Sequence, residues 1–317
     1  MTTDIRFDGI LFFPVTPFDH SGAVDLDLLA EHVASRLPFG PGGVFPACGT
    51  GEIHALSVTE AAAVVATTVD VVRRDTDRRI PVVAGAGGSL GTALELARAA
   101  QSAGADALLV LPPYLVTGPI AGTIAYVEAI AAATELPVIV YHRGGARFTA
   151  AAMAHLAQNP KVIGFKDGTG DIGLAQEIAL AVRATGRTDF QFFNGLLTAE
   201  LTQGAYRALG MPLYSSAAFA MAPEIAREHY RAYSAGDEDR RLALLDAFYS
   251  PLVRLRDETP GFGVSLIKAG LRLGGLPVGS VRPPLVDPTE AQLAELERIL
   301  AAGRAFVTDH EPILQRP

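Results

Sequence analysis

The sequence predicts a (β/α)8 barrel (a TIM barrel) with a C-terminal helical extension. Eight short apolar runs alternate with longer segments rich in alanine and leucine, which is the order expected of parallel strands connected by helices. Beyond residue 223 the apolar runs stop and only helical segments follow. We therefore assign residues 1–235 to a barrel that carries the functional site and residues 236–317 to a helical extension packed on it.

The predicted strands are short apolar runs, most of them bounded by glycine, proline or polar residues. They are residues 10–15, 43–46, 81–84, 107–111, 137–141, 162–166, 190–194 and 213–216. A doubly wound open sheet is the alternative fold, but no Gly-x-Gly-x-x-Gly motif follows the first strand.

The helices between and after these strands have recognisable ends. Ser57 and Glu60 form a capping-box pattern at one helix start, and Gly104, Gly186 and Gly210 occupy positions typical of C-terminal caps. The helical segments after the last strand are residues 223–235, 237–256, 261–273 and 288–306. The first of these closes the barrel as its eighth helix.

The composition excludes several classes of partner. With 49% hydrophobic residues, the 317-residue chain can bury a large core. Its net charge of -8 and pI near 5.4 argue against nucleic acid, because no basic stripe is present to neutralise phosphates. A single cysteine, Cys48, fits a reducing compartment, and no stretch resembles a signal sequence or a membrane span. We expect a soluble cytoplasmic protein without a nucleic-acid or membrane partner.

Lys166 is the residue around which the candidate site is built. It ends the predicted strand at residues 162–166, in an apolar run that includes Ile163 and Phe165. A free lysine amine has a pKa of about 10.4 and is almost fully protonated at neutral pH, whereas apolar surroundings disfavour the charged form. The un-ionised amine can condense with a ketone to form a Schiff base. A lone lysine is more often a surface residue, so the interpretation depends on its neighbours.

Other strand ends place polar groups at the same end of the predicted barrel, where sites of this fold are built. The turn Gly49-Thr50-Gly51 could cradle a carboxylate with its backbone amides and its hydroxyl, or it could be a plain tight turn. Tyr114 follows the fourth predicted strand, and Tyr141 ends the fifth. Either could be a half-buried packing residue, but a phenol near the lysine could also shuttle protons.

Further candidates for substrate binding lie at three strand ends. Arg143 could hold a second carboxylate bidentately, or be a solvated loop charge. Asn194 and Gly195 end the seventh predicted strand, and Ser215 and Ser216 end the eighth. No grouping of His, Asp, Glu or Cys residues has the spacing of a metal site, so we predict no metal ion.

With these motifs, the chain resembles the pyruvate-dependent Schiff-base lyase superfamily that contains dihydrodipicolinate synthase and N-acetylneuraminate lyase. Within it, the chain is most similar to the 5-dehydro-4-deoxyglucarate dehydratases. The similarity extends from residues 13–18 to residues 281–284. The motifs that carry it are Gly-Thr-Gly-Glu at 49–52, Leu-Pro-Pro-Tyr-Leu at 111–115, Gly-Phe-Lys-Asp-Gly at 164–168, Tyr-Ser-Ser-Ala at 214–217 and Val-Ser-Leu-Ile-Lys-Ala-Gly at 264–270.

The resemblance implies roles for individual residues. Lys166 would form the imine, Tyr141 would transfer protons beside it, and Thr50 with its adjacent amides would bind the carboxylate next to the ketone. Tyr114 matches a tyrosine that many relatives contribute to a neighbouring subunit, and the implied assembly is a homo-oligomer, a dimer of dimers. Lys268 also matches a family lysine, which we interpret as structural.

The implied activity is that of a lyase of sugar-acid catabolism. Such an enzyme converts 5-dehydro-4-deoxy-D-glucarate, a 2-oxo dicarboxylate, to 2,5-dioxopentanoate, carbon dioxide and water in the breakdown of glucarate and galactarate. The covalent imine on Lys166 would serve as the electron sink. The resemblance therefore implies no metal, nicotinamide or pyridoxal phosphate cofactor.

The chain departs from the family pattern at several positions. Gly49 stands where synthases and sialic-acid lyases carry threonine or serine, which argues against those activities. The dehydratases usually have asparagine at the position of His142, Asp-Asn at residues 144–145 and asparagine near Ala220, so the exact substrate is left open. The alternatives are an aldolase, lyase or synthase that uses the same enamine, and a barrel that binds 2-oxo acids as a sensor without turnover.

Overall fold

The computed structural model describes residues 5–74 and 79–309, and within them eight parallel strands form the predicted barrel. The strands are β1 Leu11–Phe12, β2 Gly43–Val44, β3 Val83–Gly88, β4 Ala107–Pro113, β5 Val138–His142, β6 Val162–Asp167, β7 Gln191–Asn194 and β8 Leu213–Ser216. Their order in the sheet is β2-β1-β8-β7-β6-β5-β4-β3, and a parallel bridge between Val44 and Val82 joins its two ends. The barrel is therefore nearly closed.

Helices follow the strands as this fold requires. They are α1 Leu26–Ala34, α2 Val58–Arg74, α3 Leu90–Ser102, α4 Ile120–Ala132, α5 Ala150–Leu156, α6 Ile172–Ala184, α7 Gln203–Ala208, α8 Ala218–Met221, α9 Pro223–Ala235, α10 Glu238–Leu244, α11 Ser250–Asp257, α12 Phe262–Leu273 and α13 Glu290–Asp309. The capping box is confirmed, since the amides of Ser57 and Glu60 each donate to the other residue's side chain. Gly104, Gly186 and Gly210 have positive φ angles just after helices, as predicted for C-terminal caps.

Side chains alternate between the inside of the barrel and the layer under the helices. Val83, Leu109 and Ile139 belong to a buried cluster inside the barrel. Leu108 and Val140, their neighbours on β4 and β5, belong to the larger cluster between the strands and the helices. Because successive residues of a strand face opposite sides, the position of a residue along its strand decides whether it faces the interior.

β6 departs from this alternation, and the departure turns Lys166 into the barrel. The pairing of β6 with β5 skips Ile163, so β6 has one residue more than its neighbour at that point. Beyond the extra residue, Phe165 faces the helix layer and Lys166 faces the interior. A one-residue shift exchanges the two faces of a strand, so regular alternation from Ile163 onward would have turned the lysine outward.

The C-terminal extension shares its core with the barrel. Leu296, Ile299 and Leu300 of α13 belong to the same buried cluster as the layer between the strands and the barrel helices. The predicted boundary after residue 235 coincides with the end of α9. Residues 1–4 of the predicted barrel and residues 310–317 of the predicted extension lie outside the residues that the structure describes.

One predicted helix of the extension is divided. The segment predicted at residues 237–256 consists of α10, a π-helical turn at Leu245–Tyr249, and α11. Pro251 lies in the first turn of α11 and has no amide hydrogen to donate to the preceding turn. The π-helical turn therefore lies directly before Pro251, where a regular α-helix would also lack one backbone hydrogen bond.

Replacing Leu296 with alanine is expected to lower the free energy of unfolding by about 2–5 kcal/mol, because the change leaves a cavity in a fully buried site. Since that site belongs to the common core, barrel and extension should unfold in one transition in urea, followed by circular dichroism and tyrosine fluorescence. Leu242→Ala, at an exposed position, is the control and should change stability by less than about 0.5 kcal/mol. Two separate transitions would contradict the common core.

Candidate active site

Lys166 lies inside the barrel near the carboxyl end of β6 and is 5% exposed. Its Nζ atom is 4.3 Å from the centroid of the Phe13 ring and 4.4 Å from that of the Tyr141 ring. Burial is the main cause that lowers the pKa of Lys166 to about 7, and the nearby charge of Arg143 lowers it further. No acidic side chain among the described residues forms an ion pair with the amine. A large fraction of this amine is therefore un-ionised at neutral pH.

The apolar surroundings of the amine differ from those expected from the sequence. They come from Phe13 and Tyr141, whereas Phe165 lies on the other side of the sheet. Cys48 is buried, and burial raises the pKa of its thiol to about 12. The thiol is thus neutral and adds no counter-ion near the lysine.

Two glycines allow the lysine and the tyrosine to pack closely against the backbone. A Cβ atom on Gly195 would lie 2.6 Å from both Cγ and Cε of Lys166. A Cβ atom on Gly168 would lie 2.7 Å from Cε2 of Tyr141. Neither position has room for a side chain, so Gly195 contributes a flat surface of backbone to the site.

Tyr141 lies beside Lys166, because the two residues are paired in the register of β5 and β6. Its hydroxyl donates to the carbonyl oxygen of Gly195 at 2.7 Å and accepts from Nη1 of Arg143 at 2.9 Å. Burial raises the pKa of Tyr141, and Arg143 opposes that shift. The hydroxyl thus has one acceptor and one donor partner, while the ring of the same residue lies against the Lys166 amine.

A cavity of about 680 Å³ adjoins Lys166 and Tyr141. This volume is in the range of small-molecule sites. The barrel contributes Phe13, Leu109 and Ser215 to its wall, among other residues. The C-terminal extension completes the wall with residues 256–257 and 259–264 and with Leu285.

The turn at residues 49–51, which we call the Gly-Thr-Gly turn, presents unused hydrogen-bond donors at the cavity. Gly49 and Thr50 line the cavity, and Gly51 follows without lining it. The carbonyl of Gly51 accepts a hydrogen bond from the hydroxyl of Thr16 at 2.7 Å. Within the described residues, the amides of the turn and the Thr50 hydroxyl make no hydrogen bond. A group of free donors of this kind fits a carboxylate.

The two arginines on the cavity wall differ in their partners. Arg256 donates to Asp257 at 2.8 Å and to the hydroxyl of Thr198 at 2.9 Å, so its charge is balanced locally. The side chain of Arg143 donates to the Tyr141 hydroxyl and has no acidic partner in the part of the chain that the structure describes. Arg143 is therefore the better placed of the two for an anionic group of a ligand.

Two of the predicted binding residues face away from the cavity. Asn194 is fully buried, and its amide donates to three groups of the segment that follows β7. The hydroxyl of Ser216 donates to Glu200 at 2.5 Å and accepts from the amide of Phe219. Ser215, one position earlier, does line the cavity. The alternation of strand positions thus separates the two serines, and our assignment of Asn194 and Ser216 to substrate contact does not fit the geometry.

Tyr114 lies outside the cavity wall of its own chain. It is 71% exposed, and the adjacent Leu115 and Val116 are exposed as well. Neighbouring exposed apolar side chains are typical of a surface that another chain covers. The contribution of Tyr114 to a neighbouring subunit stays a prediction.

His142 points away from the cavity, although it follows Tyr141 directly. Its Nδ1 atom accepts from the amide of Phe148 at 3.0 Å, and its ring packs against Phe148 and Phe165. Burial lowers the pKa of His142, which favours the neutral ring. A ligand in the cavity therefore does not meet this imidazole.

Several cavity residues were not found from the sequence. Phe13 lies in the first motif of the family resemblance, but no local pattern shows that its ring faces the amine. Thr198, Arg256 and Asp257 come from distant segments that only the folded chain brings together. Thr198 has a φ angle of 51°, which is uncommon for threonine. This angle is seen in the structure and could not be read from the sequence.

Within residues 5–74 and 79–309, no group of three or more His, Cys, Asp or Glu side chains is arranged to hold a metal ion. No helix in those ranges has both the length and the apolar character needed to cross a membrane.

Solved structures share this architecture. A dihydrodipicolinate synthase from Oceanobacillus iheyensis matches with a TM-score of 0.86 and 26% identity, over 95% of this chain and 98% of that chain. A prophage protein of the dihydrodipicolinic acid synthase family from E. coli, solved in complex with pyruvate, matches with a TM-score of 0.82 and 26% identity, over 94% of this chain and 99% of that chain.

Curated relatives are closer in sequence. A probable 5-dehydro-4-deoxyglucarate dehydratase from Streptomyces griseus is 50% identical over 304 residues, which cover 95% of this chain and 93% of the relative. A protein of the same name from Paracidovorax citrulli is 39% identical over 297 residues, covering 93% and 95%. The model of the dihydrodipicolinate synthetase family matches residues 6–303. Because this match spans nearly the whole chain, the protein belongs to the dihydrodipicolinate synthetase family.

Proposed function

We propose that this protein is a Schiff-base dehydratase that converts 5-dehydro-4-deoxy-D-glucarate to 2,5-dioxopentanoate, carbon dioxide and water. The observation that carries the proposal is the amine of Lys166, with a pKa of about 7, beside the phenol of Tyr141 at a cavity of small-molecule size. The names of relatives at 46–50% identity support the choice of substrate. A family member solved with pyruvate supports the binding of a 2-oxo acid.

The first step joins the amine to the substrate. The lone pair of Nζ attacks the ketone carbon, and the ketone oxygen leaves as water, so that a protonated imine forms on Lys166. The hydroxyl of Tyr141 supplies a proton to the departing oxygen. Arg143, which donates to that hydroxyl, stabilises the negative charge left on the phenol.

The imine then serves as the electron sink for elimination. Tyr141, or a group it relays to, removes a proton from the methylene carbon next to the imine, and the electron pair forms an enamine. The enamine expels the β-hydroxyl group, which takes up a proton and leaves as water. The product of this step is an iminium conjugated with a new carbon–carbon double bond.

Decarboxylation follows from that conjugation. The carbon that bears the distal carboxylate is now attached to the extended electron sink. Carbon dioxide leaves, and its bonding electron pair passes into the conjugated system. Protonation on carbon and hydrolysis of the imine release 2,5-dioxopentanoate and regenerate Lys166. The protein's own amine supplies the sink, so the proposal includes no metal or organic cofactor.

A dicarboxylate substrate needs two anion-binding sites. The Gly-Thr-Gly turn, with Thr50 at its centre, would bind the carboxylate next to the ketone through its free donors. Arg143 would bind the distal carboxylate, because its charge has no acidic partner in the described part of the chain. Ser215 lines the same cavity and can bond a substrate hydroxyl.

Assembly into a homo-oligomer completes the proposal. A dimer of dimers, as the family resemblance implies, would cover the exposed side chains of Tyr114, Leu115 and Val116. Tyr114 would then act at the site of a neighbouring subunit.

Lys166→Ala should reduce carbon dioxide release from 5-dehydro-4-deoxyglucarate by about 10³-fold or more, because it removes the nucleophile. Lys161→Ala is the matched control: Lys161 precedes the other end of β6, donates to the carbonyl of Thr134 and should keep the parent rate. The assay follows carbon dioxide and identifies the organic product. Pyruvate as product would indicate an aldolase. A borohydride-trapped adduct without turnover of any acid sugar would indicate a sensor.

The rate at which pyruvate is trapped on Lys166 by cyanoborohydride should rise about tenfold from pH 6 to pH 8 and then level off. The reason is that the reactive form is the un-ionised amine, which predominates above the lowered pKa of about 7. Mass spectrometry of the adduct gives the initial rates. An amine of ordinary pKa would instead gain about a hundredfold over this range and continue to rise, which would refute the lowered value.

Arg143→Gln should raise the KM for the dicarboxylate substrate by about tenfold to a hundredfold, the effect of losing one charged hydrogen-bonding partner. Glutamine keeps an amide donor toward the Tyr141 hydroxyl, so trapping of pyruvate should stay within about threefold of the parent rate. Steady-state kinetics and adduct mass measure the two effects separately. Equal losses in both assays would show that Arg143 does not serve the distal carboxylate.

A further inference from the structure

A buried ion pair holds the chain just after the Gly-Thr-Gly turn. Oε1 of Glu52 lies 2.6 Å from Nζ of Lys268 in α12, and both side chains are fully buried. The Lys268 ammonium also donates to the carbonyl of Ser280 at 2.9 Å and lies 3.9 Å from the centroid of the Phe18 ring. The second carboxylate oxygen of Glu52 accepts from the amide of Arg282 at 2.8 Å. The residue that directly follows the turn is therefore held by two contacts from the extension.

The backbone on both sides of the turn is in an uncommon conformation. Ala47 and Glu52 have φ angles of 48° and 55°, in the left-handed region that residues other than glycine seldom adopt. Such conformations persist only where surrounding contacts hold them. At Glu52 those contacts are the Lys268 ammonium and the amide of Arg282. They hold the residue that directly follows the turn.

Lysine is scarce in this chain, which makes its presence at position 268 informative. Only three of the 26 lysines and arginines are lysines: Lys161, Lys166 and Lys268. A compact ammonium group suits a fully buried site between a carboxylate and a ring face. The planar guanidinium group of arginine is larger and would need more room there. Burial lowers the pKa of Lys268 to about 8 and Glu52 opposes the fall, so the group is mostly charged at neutral pH.

We propose that Glu52 and Lys268 are positioning residues for the carboxylate of the 2-oxo acid, acting by orienting the Gly-Thr-Gly turn. The inference rests on the proposed function, because it requires that carboxylate to bind at the turn. Neither residue lines the cavity that Lys166 lines. Replacing either residue should therefore weaken the binding only of ligands that carry the carboxylate. A general effect on the fold would weaken the binding of all ketones alike.

Lys268→Met is expected to raise the pyruvate concentration that half-saturates trapping on Lys166 by about tenfold or more, because a small displacement of the turn weakens its hydrogen bonds. Hydroxyacetone, a ketone without a carboxylate, should be trapped within about twofold of the parent rate, since it does not use the turn. Trapping is measured on the full chain with cyanoborohydride and mass spectrometry. With three lysines in the chain, the modified residue can be mapped directly.

Two controls keep the test decisive. Leu296→Ala destabilises the same extension without touching the turn, and it should leave the preference for pyruvate over hydroxyacetone unchanged. If Lys268→Met does not fold, the double variant Glu52→Gln with Lys268→Met leaves no unpaired buried charge and should show the same selective loss for pyruvate. An unchanged preference in a folded variant, or equal losses for both ketones, overturns the inference. Failure of the parent chain to trap pyruvate would instead overturn the proposed function.

Discussion

Keeping the Lys166 amine buried, with no carboxylate paired to it in residues 5–74 and 79–309, is the constraint on which the site depends. An ammonium group in that position would lose its hydration and gain no carboxylate, so the neutral form becomes accessible near pH 7. The faces of Phe13 and Tyr141 tolerate both forms, because an aromatic ring attracts a cation and also packs against an apolar stem. Gly195 and Gly168 then bring backbone against both reactive side chains and leave little room for displacement.

The barrel and the extension divide the work of the site. The strands carry Lys166 and Tyr141, whose proposed chemistry needs rigid placement. The extension supplies part of the cavity wall, and its Lys268 pairs with Glu52 just after the Gly-Thr-Gly turn. Arg143 donates a hydrogen bond to the Tyr141 hydroxyl. It also presents a positive charge to the cavity, and no acidic side chain in the described part of the chain pairs with that charge. In the proposed function, one hydrogen bond at the Tyr141 hydroxyl therefore joins the proton-transfer residue to the anion-binding residue.

The fold could be predicted because apolar runs bounded by turn residues mark buried strands, and all eight were located. The sequence could not predict which side chains of a strand face the barrel interior and which face the helices. The extra residue at Ile163 exchanges the inward-facing and outward-facing positions of β6 beyond that point. No local sequence pattern predicts this exchange. His142 and Ser216 sit at strand ends like true site residues, yet alternation turns them to the helix layer. Arg256 joins the cavity from a helix far along the chain. The scarcity of lysine was the unused signal: two of the three lysines are buried, one beside the cavity and one against Glu52.

The positions of these lysines also decide how the protein can be attached to a surface. Lys161 precedes the amino end of β6, and Lys166 lies near the carboxyl end of the same strand. Lys166 and Lys268 are buried, so Lys161 is the lysine within reach of an amine-reactive resin. Immobilisation through that side chain would present every molecule with its cavity directed toward the flowing solution.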